Sequence, residues 1–294
     1  MSIVLVIIGL IVGGVLTGQS LIAAAAVRAQ ISQIEKFNTA AATFQGKYGY
    51  LPGDIPTGPA AQFGFASRGQ YAGEGDGNGL IEGNTGNCSG CNNGGGVVGE
   101  TSMFWVDLST AHLIDGGFSL ATSTTDTEHA ANVSQWLPQA KVNSSDYIYV
   151  AGFSGINRFY IGTQISFTTG YVMEGGGLEA CASPLQGICY TLTVQQAYTI
   201  DSKIDDGKPG TGNVRAELIA PYPQWAGDAV FNLLGDDGAS TAVKDGANVW
   251  ANAPTSYTCM DNGNIAGANF NYSLSQNNGA GVNCDLSFKI QAGD

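Results

Sequence analysis

The chain has 294 residues, only 12% of them charged, and carries a net charge of −13 with a pI near 4.3. An acidic balance of this size argues against nucleic acid as a partner, because phosphate contacts need a basic face. The length leaves room for one anchor helix and one or two globular units, and the 43 glycines point to short strands and long turns rather than a helical bundle.

The first 27 residues contain no charged side chain. As a helix they would span roughly 40 Å, enough to cross a hydrocarbon core of about 30 Å. The large aliphatic residues of this run are Ile3, Val4, Leu5, Ile7, Ile8, Leu10, Ile11, Val15, Leu16 and Leu21. From there the apolar residues recur as Val27, Ile31, Ile34, Phe37, Ala41, Phe44 and Tyr48, in steps of three and four that predict one apolar helix stripe. Residues 1–50 therefore read as one helix, hydrophobic over 1–27 and amphipathic over 28–50, stopped by Gly49 and Leu51-Pro52-Gly53-Asp54. Nothing basic precedes the run and no cleavage-like break follows it, which favours an anchor over a signal peptide, although Ala23 to Ala26 supply small residues for one. Arg28, Lys36 and Lys47 against Glu35 give this segment a net charge of +2, which leaves −15 on residues 51–294.

Residues 51–99 are poor in regular structure and rich in Gly, Asn, Asp and Pro. Within them Glu74-Gly-Asp76-Gly-Asn78-Gly-Leu80-Ile-Glu82 resembles half of a calcium loop, with oxygen from Asp76, Asn78, Glu82 and the Leu80 carbonyl. Glu74 stands where such a loop has Asp, and Thr85 where a bidentate Glu would close it. The competing reading is a solvated Gly/Asn turn. Residues 100–114 predict a helix buried through Phe104, Leu108, Ala111 and Ile114 and ended by Asp115-Gly116-Gly117. Residues 147–153 and 158–167 predict a hairpin connected by Ser154-Gly155-Ile156-Asn157, and 169–174 and 188–192 further strands. Thr193-Val194-Gln195-Gln196 has the spacing of a capping box and predicts a helix through Ile204. The chain beyond it reads as irregular until a final strand over 284–290.

The six cysteines, Cys88, Cys91, Cys181, Cys189, Cys259 and Cys284, all lie outside the anchor. Pairing of nearest neighbours (Cys88–Cys91, Cys181–Cys189, Cys259–Cys284) suits an exported chain. Cys88-Ser-Gly-Cys91 sits among glycines and asparagines, which favours a structural bridge over a redox motif or half of a zinc site. His112 and His129 are the only histidines; neither has a nucleophile motif around it, and no phosphate-binding loop follows a strand, so the chain is not read as an enzyme.

Ser2-Ile3-Val4-Leu5-Val6-Ile7-Ile8-Gly9-Leu10-Ile11, with the exit Lys47-Tyr48-Gly49-Tyr50-Leu51-Pro52-Gly53-Asp54, resembles the N-terminal helix of type IV pilins and pseudopilins. In that family a leader peptidase cuts before an N-methylated residue, and a glutamate follows; on this chain those residues would lie just upstream of Met1. The segments around Gly79, 100–116 and 200–210 also resemble larger pilin-like proteins. The resemblance implies an α+β fold, with the long N-terminal helix packed on a disulfide-stabilised, β-rich head at 51–294 that carries an antiparallel sheet and long loops. It implies a structural subunit, held in the bacterial inner membrane before assembly and extracellular afterwards. A prepilin peptidase and an assembly platform would process it into a homo-oligomeric helical filament cored by the aliphatic residues above. The alternatives are a minor tip or priming pseudopilin of a secretion machine and a membrane-tethered binding protein that never polymerises. Some members of the class hold loops with calcium, the one cofactor expected. Many pilins have a helix-breaking proline where this chain has Gly9, Gly13, Gly14 and Gly18, with Thr17 the nearest equivalent. Those glycines would either let the helix melt in the filament or allow close helix packing.

Overall fold

A computed structural model of the chain describes residues 2–69, 74–82, 99–118, 133–153, 155–163, 192–217, 259–261, 271–274, 279 and 282–292. Helix α1 (Ser2–Tyr48) runs unbroken, because no proline interrupts it and its alanines favour helix. It stops where Gly49, at φ 80°, donates its N–H back to the Gln45 carbonyl at 2.8 Å. The two halves of α1 have different surroundings. Residues 3–25 project from the head, and Ile3 and Leu21 are 76% and 70% exposed. The second half lays Val27, Ile34, Phe37, Ala41 and Phe44 into the core, with Ile31 and Tyr48 half-buried against it, as the periodicity predicts. Gln30 and Ala40 are buried on the same stripe.

Behind that stripe lies an aromatic core. Trp105 meets Phe37 at 4.9 Å and Phe104 at 5.0 Å between ring centroids, and Phe159 stands 6.0 Å from Phe37. Trp105 and Phe104 come from α3 (Glu100–Thr110). Phe159 comes from β2 (Ile156–Thr163), which pairs antiparallel with β1 (Asp146–Phe153). The final strand, β7 (Val282–Lys289), organises the rest of the sheet. It pairs antiparallel with β2, with β3 (Leu192–Thr193) and with β4 (Val214–Glu217). Helix α4 (Val194–Ile204) packs on β7 and on α1. The small pair β5 (Met260–Asp261) and β6 (Asn271–Tyr272) is tied to β7 by the Cys259–Cys284 disulfide, with a Cα–Cα distance of 4.9 Å. The fold is thus α+β, with a long apolar N-terminal helix and an antiparallel sheet.

Several local readings need correction. Helix α3 ends at Thr110 rather than at Ile114. The His112 N–H bonds the Ser109 carbonyl and the Leu113 N–H bonds the Leu108 carbonyl, both at 3.0 Å, with His112 at φ 57°. This is a Schellman exit, and it folds Leu113 and Ile114 back against the core before the glycines are reached. In the hairpin, Ile156 pairs with Phe153 and Asn157 with Gly152, so only residues 154 and 155 connect the strands. The segment read as irregular contains α2 (Thr57–Phe63). Its Phe63 ring meets Tyr48 at 5.0 Å, an aromatic contact that local propensity does not reveal. Likewise β4 lies in the stretch expected to be irregular, because its partner is the far end of the chain. The capping box at Thr193 is present as predicted: Thr193 Oγ1 accepts from the Gln196 N–H, and Gln196 Oε1 accepts from the Thr193 N–H. Of the cysteine pairings, Cys259–Cys284 is formed. Cys88, Cys91, Cys181 and Cys189, the strand expected at 169–174, and His129 lie outside the described residues.

Candidate assembly helix and carboxylate loop

The exposed half of α1 is the largest uncovered apolar surface among the described residues. Ile3, Val4, Leu5, Ile7, Ile8, Leu10, Ile11, Val15 and Leu16 are each more than half exposed. It is the one described helix long and apolar enough to cross a membrane; its most apolar window has a mean hydropathy of 2.2, and none of that window is buried. Among the described residues, a Cβ added at Gly9, Gly13, Gly14 or Gly18 would meet nothing within 4 Å, so no contact with them requires glycine there. Thr17 turns its hydroxyl inward and donates to the Gly13 carbonyl at 2.5 Å, a back-bond that bends helices and weakens them slightly.

Where α1 leaves the core, the chain builds a buried polar knot. Glycine is required at position 53, which stands at φ 87° and where a Cβ would come within 2.4 Å of the Glu100 carbonyl oxygen. Its N–H donates to Asp107 Oδ2 at 2.7 Å, and Asp107 is gripped by the Arg68 guanidinium through two bonds of 2.7 Å. Both partners of this fork are enclosed, so removing either would strand a buried charge. Beside it, Asp54 and Glu100 are buried carboxyls that hold the loop 74–82. Asp54 accepts from the Gly77 and Gly79 N–H groups, both at 2.8 Å. Glu100 accepts from Gly75 at 2.6 Å and Glu82 at 2.8 Å. Asn157, in β2, completes the clamp by accepting from the Ile81 N–H and donating to the Gly79 carbonyl, each at 2.8 Å.

The calcium reading picked four ligands in this loop, and the structure arranges them in two ways. Asp76 joins Asp54 and Glu100, with one carboxylate oxygen of each lying within 4.8 Å of the others. Asn78 instead ties the loop internally: its side-chain amide donates to Asp76 at 3.1 Å and to Glu82 at 3.3 Å, and its Oδ1 accepts from the Leu80 N–H at 2.6 Å. Glu82 stands outside the three-carboxylate group. Thr85 lies outside the described residues. Burial pushes the Glu100 carboxyl up to about 9, and the charges of Asp54 and Asp76 add to the rise. Asp54 is raised as well, by burial first, while its bonds from Gly79 and Gly77 oppose the rise. The pair therefore retains a proton at neutral pH. Asp54, Asp76 and Glu100 are the residues that could exchange such a proton for a hard cation. Sequence reading missed Asp54 and Glu100 because they lie outside the loop and resemble an ordinary turn residue and an acidic helix start.

A second carboxylate group closes α4. Asp201 is fully buried, accepting from the Tyr272 hydroxyl at 2.8 Å and the Gly207 N–H at 3.1 Å. Asp205 and Asp206 each bring a carboxylate oxygen within 4.8 Å. Burial drives the Asp201 carboxyl up to about 7, against those two hydrogen bonds, and its acidic neighbours reinforce the rise.

On its other flank, the second half of α1 borders an open groove of about 1070 Å³, lined by Ser32, Lys36 and Thr39 from the helix and by Ile114, Asp115 and Lys141 from the head. Gln30 fixes this side, accepting from the Lys141 N–H at 2.7 Å and the Val142 N–H at 3.2 Å. No family model, curated protein or solved structure matches the chain.

Proposed function

We propose that the chain is a structural subunit of an extracellular helical filament of the type IV pilin class, assembled by bundling of its apolar N-terminal helices. The observation that carries this reading is the division of one continuous helix: residues 27–48 are packed on the head, and residues 3–25 are uncovered. An apolar surface of this length is satisfied in a bilayer by acyl chains. Outside the bilayer it can be hidden only by like surfaces, and each large aliphatic side chain so buried contributes about 1.5–3 kcal/mol. Identical subunits that associate head to tail with an axial stagger make an open helical polymer rather than a closed ring. Before assembly the helix is an inner-membrane anchor with the head outside the cytoplasm, a compartment that suits the Cys259–Cys284 bridge. The described residues hold the chemistry of a scaffold: carboxyls clamp backbone N–H groups, and an ion pair is sealed in the core.

Shearing of the native cells followed by sizing and imaging of the released material tests this reading. Long fibres built of this chain are expected. Solitary molecules retained in the membrane would overturn it in favour of a tether, and a few copies at the end of another polymer would make it a tip subunit.

A further inference from the structure

Where α1 leaves the head, a second segment of the chain comes down beside it. Gln33 donates its side-chain amide to the Gln139 carbonyl at 2.9 Å. Almost one helical turn nearer the uncovered half of α1, Gln30 accepts from the Lys141 and Val142 N–H groups at 2.7 and 3.2 Å. Residues 139–142 therefore descend along the helix toward its apolar half. The chain reverses at 143–145, where the Asn143 carbonyl accepts from the Asp146 N–H and Asn143 Oδ1 accepts from the Ser145 N–H and hydroxyl at 3.3 and 3.1 Å. This turn stands at the foot of the head, and Lys141, Asn143, Ser144 and Ser145 are exposed on it. Arg28 is exposed at the same level. It is the first charged residue of the chain and follows Val27, the first residue of α1 that the head buries.

Resting on the reading that residues 3–25 span a bilayer before assembly, we infer that Arg28 and the turn 141–145 form a docking face for the phosphate headgroups of anionic phospholipids. With Val27 at the lipid boundary and the helix upright, Arg28 stands about 1.5 Å beyond it, and Gln30, which holds Lys141, about 4.5 Å. Both cations are then within the roughly 8 Å over which charges act at physiological salt, whereas Lys36, about 13 Å out, is not. Charge complementarity and continuity with the apolar helix select this occupant. Among the described residues neither Arg28 nor Lys141 forms an ion pair, Asp146 is buried, and the first acid of α1 is Glu35, about 12 Å from the boundary. A guanidinium forks onto phosphate oxygens and an ammonium binds them as a point charge. The docking also supplies what one helix lacks. A head on a single span is free to tilt and rotate about it; a second contact, off the helix axis, fixes the face that the head presents along the membrane.

The test uses the full chain with p-benzoylphenylalanine in place of Ser144, in nanodiscs of equal parts phosphatidylcholine and phosphatidylglycerol. Illumination is expected to attach lipid to the peptide that carries position 144. Phosphatidylglycerol should be taken at least about fivefold over phosphatidylcholine, the preference that one basic side chain near an anionic surface supplies. R28Q/K141Q and high salt should each remove the preference, and R28K/K141R should keep it. Both side chains are exposed, so these exchanges leave the core untouched. Adducts in the proportion of the lipids present, a preference that survives R28Q/K141Q, or no adduct from chains that have entered the nanodiscs would overturn the docking and leave the anchor and the filament standing. Adducts to another copy of the chain in place of lipid would overturn it too and make the turn a contact between subunits. Failure of the chain to enter nanodiscs would overturn the anchor, and the docking with it.

Discussion

Asp201 shows what burial does to a single side chain. It sits at the last turn of α4 with no exposed surface, and its carboxyl is raised to about 7 from an ordinary 3.8. The folded chain therefore holds this proton more tightly than the unfolded chain does. The stability it contributes is complete below about pH 4 and is lost as pH rises through about 7. Asp201→Asn keeps an acceptor for the Gly207 N–H and removes the ionisation. Thermal melts across pH 4 to 9 are expected to fall less steeply between about 4 and 7 in the variant than in wild type, because only the Glu100 contribution remains, so that the variant is the more stable above pH 7. Parallel curves for the two proteins would refute the assignment. Glu100 follows the same sign over a higher window, up to about 9.

Strand β7 is the element on which the head depends. It pairs with three other strands and, through Cys284, is bonded to the segment that begins β5. Both cysteines are buried, and the bridge closes a loop of 25 residues. Constraining the unfolded chain over such a loop is worth about 3 kcal/mol. A double variant, Cys259→Ser with Cys284→Ser, is expected to lose about that much, read as a fall in the melting midpoint without reductant. An unchanged midpoint would mean that the strand pairings alone hold β7. Helix α3 carries a related lesson. Its end is set by a left-handed His112, which costs more than glycine would, so the fold accepts local strain in order to turn Leu113 and Ile114 inward.

For the whole molecule, the proposed assembly turns on the state of α1. Alone it is helical from Ser2 to Tyr48, including Gly9, Gly13, Gly14 and Gly18. Each of those glycines weakens the helix by about 1 kcal/mol relative to alanine, and the Thr17 back-bond lies among them. In the proposed filament we expect the helix to stretch or unwind between Gly9 and Gly18, where lateral packing would compete with intrahelical bonds. A filament density map resolves this directly: a break in helical rise within that interval is expected, and uniform rise from the start of the chain to Lys47 would assign the glycines to close helix packing instead.

The long helix and its division were legible because both depend on local pattern. An uncharged run and a step of three or four residues are written in consecutive positions, and they place Val27, Phe37 and Phe44 on one face before any neighbour is known. The capping box at Thr193 and, apart from its turn, the hairpin expected from 147–153 and 158–167 were legible for the same reason; the Cys259–Cys284 pairing followed from joining nearest neighbours. What consecutive residues could not disclose was decided by distant partners. Asp54 and Glu100 become a clamp because the chain returns a glycine-rich loop over them; β4 becomes a strand because the last segment lies beside it; α2 is set against the core by Ala60, with Phe63 in contact with Tyr48. Hydrophobic period acts along the chain, whereas a buried carboxyl's role depends on the N–H groups that enclose it, and only tertiary folding brings those within hydrogen-bonding reach.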